Sequence, residues 1–412
     1  MHEQNIKLKM KVKKLKRLFN AFWAIPAVLV MRLLKPFILV RISSLFSERI
    51  GHFVADSVHH YIRNKELPTK IKHLYWFYTP TSNSQWEKML KRNLPIFQFA
   101  EEIDYWNKKI PGGRSHILNS SLFNTRDTNG LMEKSFKGFD FLKEEEKEAK
   151  KWLTDQGWKE GEPFVCLLVR DKAYLESAKH LKGLKNNWDH HNYRNSDIST
   201  FEPSIEWLAK KGVWVIRMGK KVSKPLNCKG KRIIDYPFEK NISDLLDIWL
   251  FSNCNLCIST LAGADFISDV YRRPLLAINF LPLSDLLSWS NSMHVPKNLI
   301  WKDTGEELSL KEHLKHSYHH EKKYKEAGIV IKNLTKDEIL ESVIECWKQI
   351  KEDKTLCKDA YKQELFWKTL FNPEVISGPY PYTLKALHKW KHPSARMGEH
   401  WIANRSKYFF SK

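Results

Sequence analysis

Residues 191–200, HNYRNSDIST, carry a high density of side chains that donate and accept hydrogen bonds. Ile198 is the one plainly aliphatic residue in this segment, which contains neither glycine nor proline. Segments that serve only to turn the chain are usually rich in those two residues. The composition therefore favours a loop that binds a polar ligand. The alternative is that Arg194 and Asp197 pair with each other and brace a long loop.

Two further arginines stand near the ends of apolar runs on either side of this segment. Arg170 ends the run PFVCLLVR at 163–170, and Arg217 lies near the end of VWVIRMG at 213–219. The planar guanidinium group donates paired hydrogen bonds to phosphate oxygens. We therefore predict that Arg170, Arg194 and Arg217 converge on the phosphates of one ligand.

The elements that must position these arginines alternate between strands and helices. Beginning with the apolar run at 163–170, the hydrophobic pattern predicts a series of elements: strand 163–170, helix 202–212, strand 213–219, strand 232–238, helix 243–254, strand 255–260 and strand 275–280. Such alternation is typical of a parallel α/β sheet. Arg170, Gly219, Thr260 and Asn279 then mark the carboxyl ends of four strands, the edge at which open α/β sheets bind ligands.

A smaller alternation of the same kind lies nearer the N-terminus. The predicted elements are strands at 36–45, 72–79 and 95–100 and helices at 53–64 and 82–93. Gly51 and His52 come where the first strand gives way to a helix. A glycine lets the backbone approach a ligand closely, and a histidine is suited to general-base catalysis near neutral pH. We expect Arg49, Gly51 and His52 to line a second part of the site.

These motifs together resemble a family of bacterial glycosyltransferases associated with surface-polysaccharide synthesis in capsule and O-antigen loci. The resemblance covers roughly residues 36–350 and rests on RIGH (49–52), LVRD (168–171), HNYRNSDI (191–198), VIRMG (215–219) and the STLAG…RRP helix (259–274). It implies a GT-B-like α/β fold of two doubly wound, Rossmann-like domains that face a cleft, with C-terminal helices that cross back. The STLAG turn departs from the serine- and glycine-rich form expected of the family.

The chemistry of a nucleotide-sugar donor gives the candidate residues their roles, because cations and helix N-termini stabilise its diphosphate leaving group. The predicted donor- and phosphate-binding residues are Arg170, Tyr193, Arg194, Arg217, Gly219, Ser259, Thr260, Ala262 and Gly263. The predicted catalytic residues are His52, Asp171 and Asp197, with orientation of an arginine or contact with ribose as the alternatives for the two aspartates. Arg49 and Gly51 are assigned to the acceptor side. The co-substrate is a nucleotide sugar, and no cofactor is implied. Because the chain contains no Asp-x-Asp tripeptide, we predict a reaction that is independent of metal.

Composition restricts the other function classes. The formal net charge is +22, and 42% of the residues are hydrophobic, which predicts a globular protein with acidic partners. The absence of a P-loop and of a GxGxxG motif counts against kinases and classical dehydrogenases. No recognisable nucleic-acid module is present, so no nucleic-acid partner is predicted. A polysaccharide pyruvyl-type group transferase and a basic nucleic-acid-binding protein remain the alternatives.

The N-terminal segment indicates contact with a membrane surface. Residues 1–17 hold six lysines and Arg17 against a single acidic residue, and the apolar run at 18–31 contains Pro26. Because a spanning helix needs roughly 20 apolar residues, we interpret residues 1–35 as an arm that lies peripherally on an anionic membrane. A helix packed on its own domain is the alternative.

The remaining chain is predicted to form three regions. These are an acceptor-side domain at 36–141, a donor domain at 142–350 and a helical tail at 351–412. The six cysteines show no compact spacing, which favours a reducing compartment. We therefore expect the protein to work on the cytoplasmic side of the membrane, in contact with a glycan or lipid-linked acceptor.

Overall fold

The computed structural model describes residues 2–118, 126–173, 192–352, 359–372, 387–405 and 407–411. The chain divides into two compact units, Met1–Thr125 and Arg126–Lys412. His191, the first residue of the polar segment, lies outside the described residues. The four predicted regions, the predicted cleft and the predicted crossing of the C-terminal helices stay predictions.

The first unit is built around a two-stranded parallel sheet. Strand β1 (Leu39–Leu45) pairs with strand β2 (Ile71–Phe77), with Leu39 opposite Ile71 and Leu45 opposite Phe77. The helices of this unit are His2–Leu33, Ile50–Lys65, Ser84–Asn93 and Ala100–Lys109, and a 3₁₀ turn spans Gly113–His116.

One predicted strand of this unit is wrong. The segment 95–100 makes only an isolated bridge between Ile96 and Tyr75. The Ala100 amide already donates to the Phe97 carbonyl at 3.0 Å, so the chain has turned toward the next helix. Pro95 has no amide hydrogen to extend the pairing backward.

The second unit contains a seven-stranded sheet in which every pair of neighbours is parallel. Its strands are β3 (Phe164–Leu168), β4 (Trp214–Arg217), β5 (Ile233–Asp235), β6 (Leu256–Ser259), β7 (Leu275–Ile278), β8 (Ser292–Val295) and β11 (Arg396–Met397). The spatial order is β11-β8-β7-β6-β3-β4-β5. From β8 to β5 this is the order of a doubly wound sheet, and the winding reverses between β3 and β6. The predicted α/β class with parallel sheets is confirmed.

Helices cover this sheet in two groups. The helices that the structure describes in the second unit are Leu131–Ser135, Lys143–Asp155, Glu202–Lys210, Asp244–Asn253, Asp265–Val270, Leu310–Lys315, Glu321–Glu326, Lys336–Glu352, Ala360–Leu370, Glu399–Ala403 and Lys407–Ser411. Glu202–Lys210 packs on Lys336–Glu352, whereas Asp244–Asn253 packs on Lys143–Asp155 and on Asp265–Val270. Right-handed crossovers place the two groups on opposite faces. Strands β3, β4, β6, β7 and β8 are accordingly buried along their whole length.

Local sequence signals fix where these helices begin. Ser243 accepts a hydrogen bond from the Leu246 amide at 3.2 Å and so caps the helix that leads to β6. Thr335 and Glu338 form a capping box at the start of Lys336–Glu352, because each side chain accepts a hydrogen bond from the other residue's amide, at 3.2 and 2.7 Å. A separate antiparallel pair joins β9 (Asn298–Trp301) to β10 (Ile329–Lys332).

Candidate active site

The polar segment is fixed at the point where the sheet reverses its winding. The Thr260 amide donates to the Leu168 carbonyl at 3.1 Å, and the Arg170 amide donates to the Thr260 hydroxyl at 2.9 Å. The Ser196 amide in turn donates to the Arg170 carbonyl at 3.0 Å. The segments that follow β3 and β6 are therefore tied to residues 192–197. We call this region the switch point. Doubly wound sheets bind their ligands at this position.

Arg194 spans from the polar segment to the turn after β6. Its Nη2 donates to the Leu261 carbonyl at 2.6 Å. Leu261 has a φ of 56°, a left-handed conformation that a branched side chain rarely adopts. The Leu261 amide donates to the Ser259 hydroxyl at 3.0 Å, which holds the residue in place. Asp197 pairs with Lys224 at 2.6 Å rather than with Arg194, so the bracing pair considered from the sequence does not form.

A buried carboxylate shapes the same turn. Asp265 Oδ2 accepts the Ser259 hydroxyl at 2.7 Å, and its Oδ1 accepts the Gly263 amide at 2.8 Å. Burial raises the pKa of Asp265, while these two bonds and the charge of Arg194 oppose that shift. Gly263 has a φ of 103°, which glycine adopts without strain. Ala262 lies between the two left-handed residues. The predicted contact of the Gly263 amide with phosphate stays a prediction, since Asp265 already accepts that amide.

Lys297 is a buried cation of the switch point that is not among the residues predicted from the sequence. Its Nζ donates to the Tyr193 carbonyl at 2.8 Å and to the Asn195 carbonyl at 2.7 Å, and the residue is 1% exposed. Burial and the nearby charges of Arg194 and Arg170 lower the pKa of Lys297 to about 7. A lysine directly after a strand end and a proline was the available signal, but β8 itself had not been predicted.

Arg170, Arg194 and Lys297 form what we call the cationic cluster. They come from three separate segments, and both guanidinium groups are half-buried. Burial contributes most to the lowered pKa of Lys297, and the positive charges of Arg194 and Arg170 lower it further. Positive charge concentrated among partly buried walls attracts anions such as phosphate. Two of the three arginines predicted to converge are thus placed together, and a lysine joins them.

Two further polar residues, Asn279 directly after β7 and Asp285, follow in the chain. Asn279, with a φ of 54°, donates to the Ser196 hydroxyl at 2.9 Å and accepts the Leu334 amide at 2.9 Å. Asp285 contacts Arg126 at 2.7 Å and His319 at 3.1 Å. Burial alone would raise the pKa of Asp285, but the hydrogen bond from His319 and the charge of Arg126 hold it below its usual range.

The predicted acidic residues accept hydrogen bonds from nearby backbone. Asp171 accepts the Ala173 amide at 2.9 Å and the Ser223 amide at 2.7 Å, so it joins the loops that follow β3 and β4. Asp197 accepts the Ser199 amide at 2.9 Å at the start of a 3₁₀ turn. The hydrogen bond from Lys224 lowers the pKa of Asp197. Their predicted catalytic roles stay predictions.

Tyr193 and Arg217 are both buried, unlike the partly exposed arginines of the cationic cluster. Tyr193 packs against Tyr324, with ring centroids 5.7 Å apart. Arg217 is 1% exposed and donates to the Lys224 carbonyl at 2.7 Å and to Asp235 at 3.2 Å. Gly219 follows with a φ of 146°. The contacts of Arg217 brace the loop after β4, and its predicted contact with phosphate stays a prediction.

The predicted residues of the first unit gather at one helix start. Arg49 is the exposed N-cap residue of the helix Ile50–Lys65, and Gly51 lies in its first turn. His52 Nδ1 lies 3.1 Å from Asp56 Oδ2 one turn later. A carboxylate that accepts the Nδ1 hydrogen leaves Nε2 able to take up a proton. Asp56 was not predicted, although its i+4 spacing from His52 was the signal.

Among the residues that the structure describes, no group of three or more histidine, cysteine, aspartate or glutamate side chains is arranged to hold a metal ion. Within the same described ranges, none of the helices combines the length and hydropathy needed to span a bilayer.

Comparison with known proteins gives distant structural similarities. A family 9 glycosyl transferase from Veillonella parvula matches with a TM-score of 0.42 and 10% identity, over 63% of this chain and 86% of that chain. ADP-heptose LPS heptosyltransferase II from E. coli matches with a TM-score of 0.38 and 12% identity, over 76% and 100%. The E. coli heptosyltransferase WaaC with ADP matches with a TM-score of 0.28 and 11% identity, over 62% and 90%.

No family model matches the chain, and no curated protein does. All three TM-scores are below 0.5, so the similarity by itself establishes neither a shared fold nor a shared activity. The function proposed below therefore rests on the geometry at the switch point.

Proposed function

We propose that the protein is a GT-B-type glycosyltransferase that binds a nucleotide-sugar donor at the switch point between β3 and β6. The observation that carries this proposal is the cationic cluster at the carboxyl edge of a doubly wound sheet, the edge where such sheets bind nucleotides. The sugar is transferred to a glycan or lipid-linked acceptor in surface-polysaccharide synthesis. No cofactor takes part in this proposal.

The proposed reaction breaks the bond between the anomeric carbon and the diphosphate oxygen. The diphosphate leaves with the bonding electron pair, the acceptor oxygen bonds to the anomeric carbon, and the acceptor proton passes to a base. Negative charge on the leaving group grows in the transition state, so preorganised cations lower the barrier. Arg170, Arg194 and Lys297 are suited to this task, Arg194 because its fork is already oriented by the Leu261 carbonyl.

We propose His52 as the base that takes up the acceptor proton. The Asp56 carboxylate supports this role because it fixes the tautomer in which Nε2 is the acceptor. Asp171 and Asp197 each accept backbone amides, which supports a role in positioning loops. Arg49 and Gly51 stay assigned to the acceptor side.

The experiment that tests this function is a donor screen with product analysis. A bound nucleotide sugar at 100 times its Kd should raise the free energy of unfolding by about 2.7 kcal/mol. Release of a nucleoside diphosphate in the presence of acceptor supports glycosyl transfer. Release of inorganic phosphate from phosphoenolpyruvate, with no stabilisation by any nucleotide sugar, would instead favour a pyruvyl-type transferase.

We also propose that the protein works peripherally on the inner, anionic face of the cytoplasmic membrane. The six lysines and Arg17 within residues 1–17 support this, because each basic residue near an anionic surface contributes about 1 kcal/mol of attraction. A lipid-linked acceptor would lie in that surface.

A further inference from the structure

The N-terminal helix His2–Leu33 has two apolar faces. On one face Ala24, Val28 and Met31 are buried in the core of the first unit. Val28 and Met31 belong to the hydrophobic cluster that includes Ile42 of β1. This face explains why the helix packs on its own unit, which was the alternative considered from the sequence.

The other face carries a second row of apolar side chains, which we call the outer stripe. The outer stripe consists of exposed residues of the helix, namely Leu15, Leu18, Phe19, Phe22, Leu29, Val30 and Leu33. Phe22 is 90% exposed and Phe19 is 81% exposed. At about 100° per residue these positions fall within an arc of about 120°, directly opposite the buried face. Soluble monomers rarely expose a continuous apolar patch of this length without a partner for it.

The helix is clamped so that the outer stripe faces away from its unit. Arg32 donates to the Pro111 carbonyl at 2.6 Å, to the Ile110 carbonyl at 2.8 Å and to both oxygens of Asn107 at about 3.0 Å. Fifteen residues earlier, Arg17 contacts Glu101 at 3.4 Å. The two arginines lie near the two ends of the outer stripe, so the stripe keeps its direction relative to the unit.

Charge decides whether the outer stripe contacts a second copy of this chain or a bilayer. Six lysines lie at positions 7–16, directly before and beside the stripe, and Lys14 and Lys16 are exposed. A second copy packed in parallel would bring the two basic segments together, where they repel. An anionic bilayer offers both an apolar layer and a negative surface.

We propose that the outer stripe inserts into the interfacial layer of an anionic bilayer while the helix lies in the membrane plane. This inference rests on the membrane contact proposed above and adds its mode: insertion of named side chains by a helix that is fixed to its unit. The exposed Lys14 and Lys16 remain at the headgroup level, as in other basic amphipathic helices. The first unit is thereby held at the bilayer in one orientation.

The test uses the full chain and sedimentation with vesicles. The variant Phe19→Gln/Phe22→Gln shortens the outer stripe with a residue that favours helices. The matched control is Phe238→Gln/Tyr361→Gln, which removes two exposed aromatic residues, 55% and 73% exposed, from the second unit. Vesicles consist of phosphatidylcholine alone or of phosphatidylcholine with phosphatidylglycerol.

We expect wild type and control to bind anionic vesicles, and the stripe variant to lose about 10²-fold in partition coefficient. If high salt abolishes vesicle binding and the stripe variant binds as well as wild type, binding is electrostatic and insertion is contradicted. Failure of wild type to bind anionic vesicles would overturn it as well. A dimer in sedimentation velocity that the stripe variant abolishes, without vesicle binding, would assign the stripe to a second copy.

Two controls keep the outcomes distinct. Because Phe19 and Phe22 are exposed, the melting temperature of Phe19→Gln/Phe22→Gln should match that of wild type. A second variant, Leu18→Gln/Leu29→Gln, repeats the test at other positions of the outer stripe. Nucleotide binding is measured on the same samples in solution. A wild type that binds vesicles but no nucleotide sugar contradicts the proposed transferase and not the membrane contact.

Discussion

Lys297 Nζ donates a hydrogen bond to the carbonyl on either side of Arg194, to that of Tyr193 at 2.8 Å and to that of Asn195 at 2.7 Å. Arg194 in turn reaches the Leu261 carbonyl at 2.6 Å. A buried ammonium group therefore fixes the backbone from which the guanidinium group extends. Keeping two cations this close is unfavourable in the free protein, and an anion bound between their segments would relieve the repulsion.

The first prediction concerns the loss of Lys297. Lys297→Met keeps the length of the side chain but leaves the buried Tyr193 carbonyl without its donor, at a cost of about 1–3 kcal/mol, and the partly buried Asn195 carbonyl as well. We expect a lower melting temperature and at least a tenfold weaker affinity for nucleoside diphosphate, measured by calorimetry at a temperature where the variant is folded. Lys302→Met, at an exposed position, is the control. An affinity equal to that of wild type would remove Lys297 from the site.

The second prediction follows from the pKa of Lys297, which is lowered to about 7. The unfolded lysine titrates near 10.4, so the unfolded chain binds more protons between pH 7 and about 10.4. This residue's contribution to stability therefore rises with pH across that window and is least favourable below pH 7.

The affinity for anions changes with pH in the opposite direction to stability, because a bound diphosphate favours the protonated ammonium group of Lys297. Affinity for nucleoside diphosphate should thus fall as the pH rises above 7, and binding near pH 8 should take up protons. Calorimetry in buffers of different ionisation enthalpy measures this uptake. Lys297→Met should bind without this uptake, whereas uptake that persists in the variant would assign the proton to another group.

The third prediction compares two variants of Arg194. Removing a charge-assisted contact to the leaving group should lower kcat by about 10²–10³ in Arg194→Ala. Arg194→Lys should recover only part of the rate, because it keeps the charge and loses the paired hydrogen bonds. Turnover, nucleotide affinity and melting temperature are measured together. Wild-type affinity and rate in both folded variants would show that residues 192–200 do not form the donor site.

Arg217 provides the contrasting case and the fourth prediction. Arg217 is buried and its contacts with Asp235 and the Lys224 carbonyl are partly buried, so Arg217→Met should leave a half-buried carboxylate oxygen without its donor and lower the melting temperature. If the role is bracing, the rate per folded molecule stays near that of wild type. If the sequence-based prediction of a phosphate contact is right, kcat falls as in Arg194→Ala at full folding.

The pairing of Arg217 with Asp235 shows how far the sequence could lead. Strands β3 and β6 were predicted within about two residues of their ends, because fully buried parallel strands are continuous apolar runs. The sequence also indicates that cations follow these strands. It does not indicate that Arg217 stands opposite Asp235 on β5, a register that only the assembled sheet sets. In the sequence, a cation at a strand end looks the same whether it contacts a ligand or a carboxylate in the folded protein.

Strand β8 explains why Lys297 was missed. Its sequence, SMHV, alternates in polarity and is short, yet all four residues are buried. Ser292 and His294 are 3.1 Å apart, and His294 Nδ1 lies 3.1 Å from the Arg396 carbonyl. These internal hydrogen bonds let polar side chains enter the core. Because the partners are distant in sequence, neither the strand nor the lysine after it was predictable from local pattern.

The last prediction concerns the pair formed by His52 and Asp56. If Nε2 of His52 takes up the acceptor proton, His52→Ala should lower kcat by about 10²–10⁴ and leave nucleotide affinity unchanged, since the base acts on the acceptor. Asp56→Asn should lower kcat less, because it weakens the preference for the reactive tautomer without removing the imidazole. Asp155→Asn, which alters another i,i+4 pair with Lys151 at an exposed site, is the control. Steady-state kinetics across pH 5–9 separates the outcomes: a rate increase with pH in wild type that is lost in His52→Ala supports the assignment. A fall in nucleotide affinity, or an unchanged pH profile in a folded variant, would contradict it.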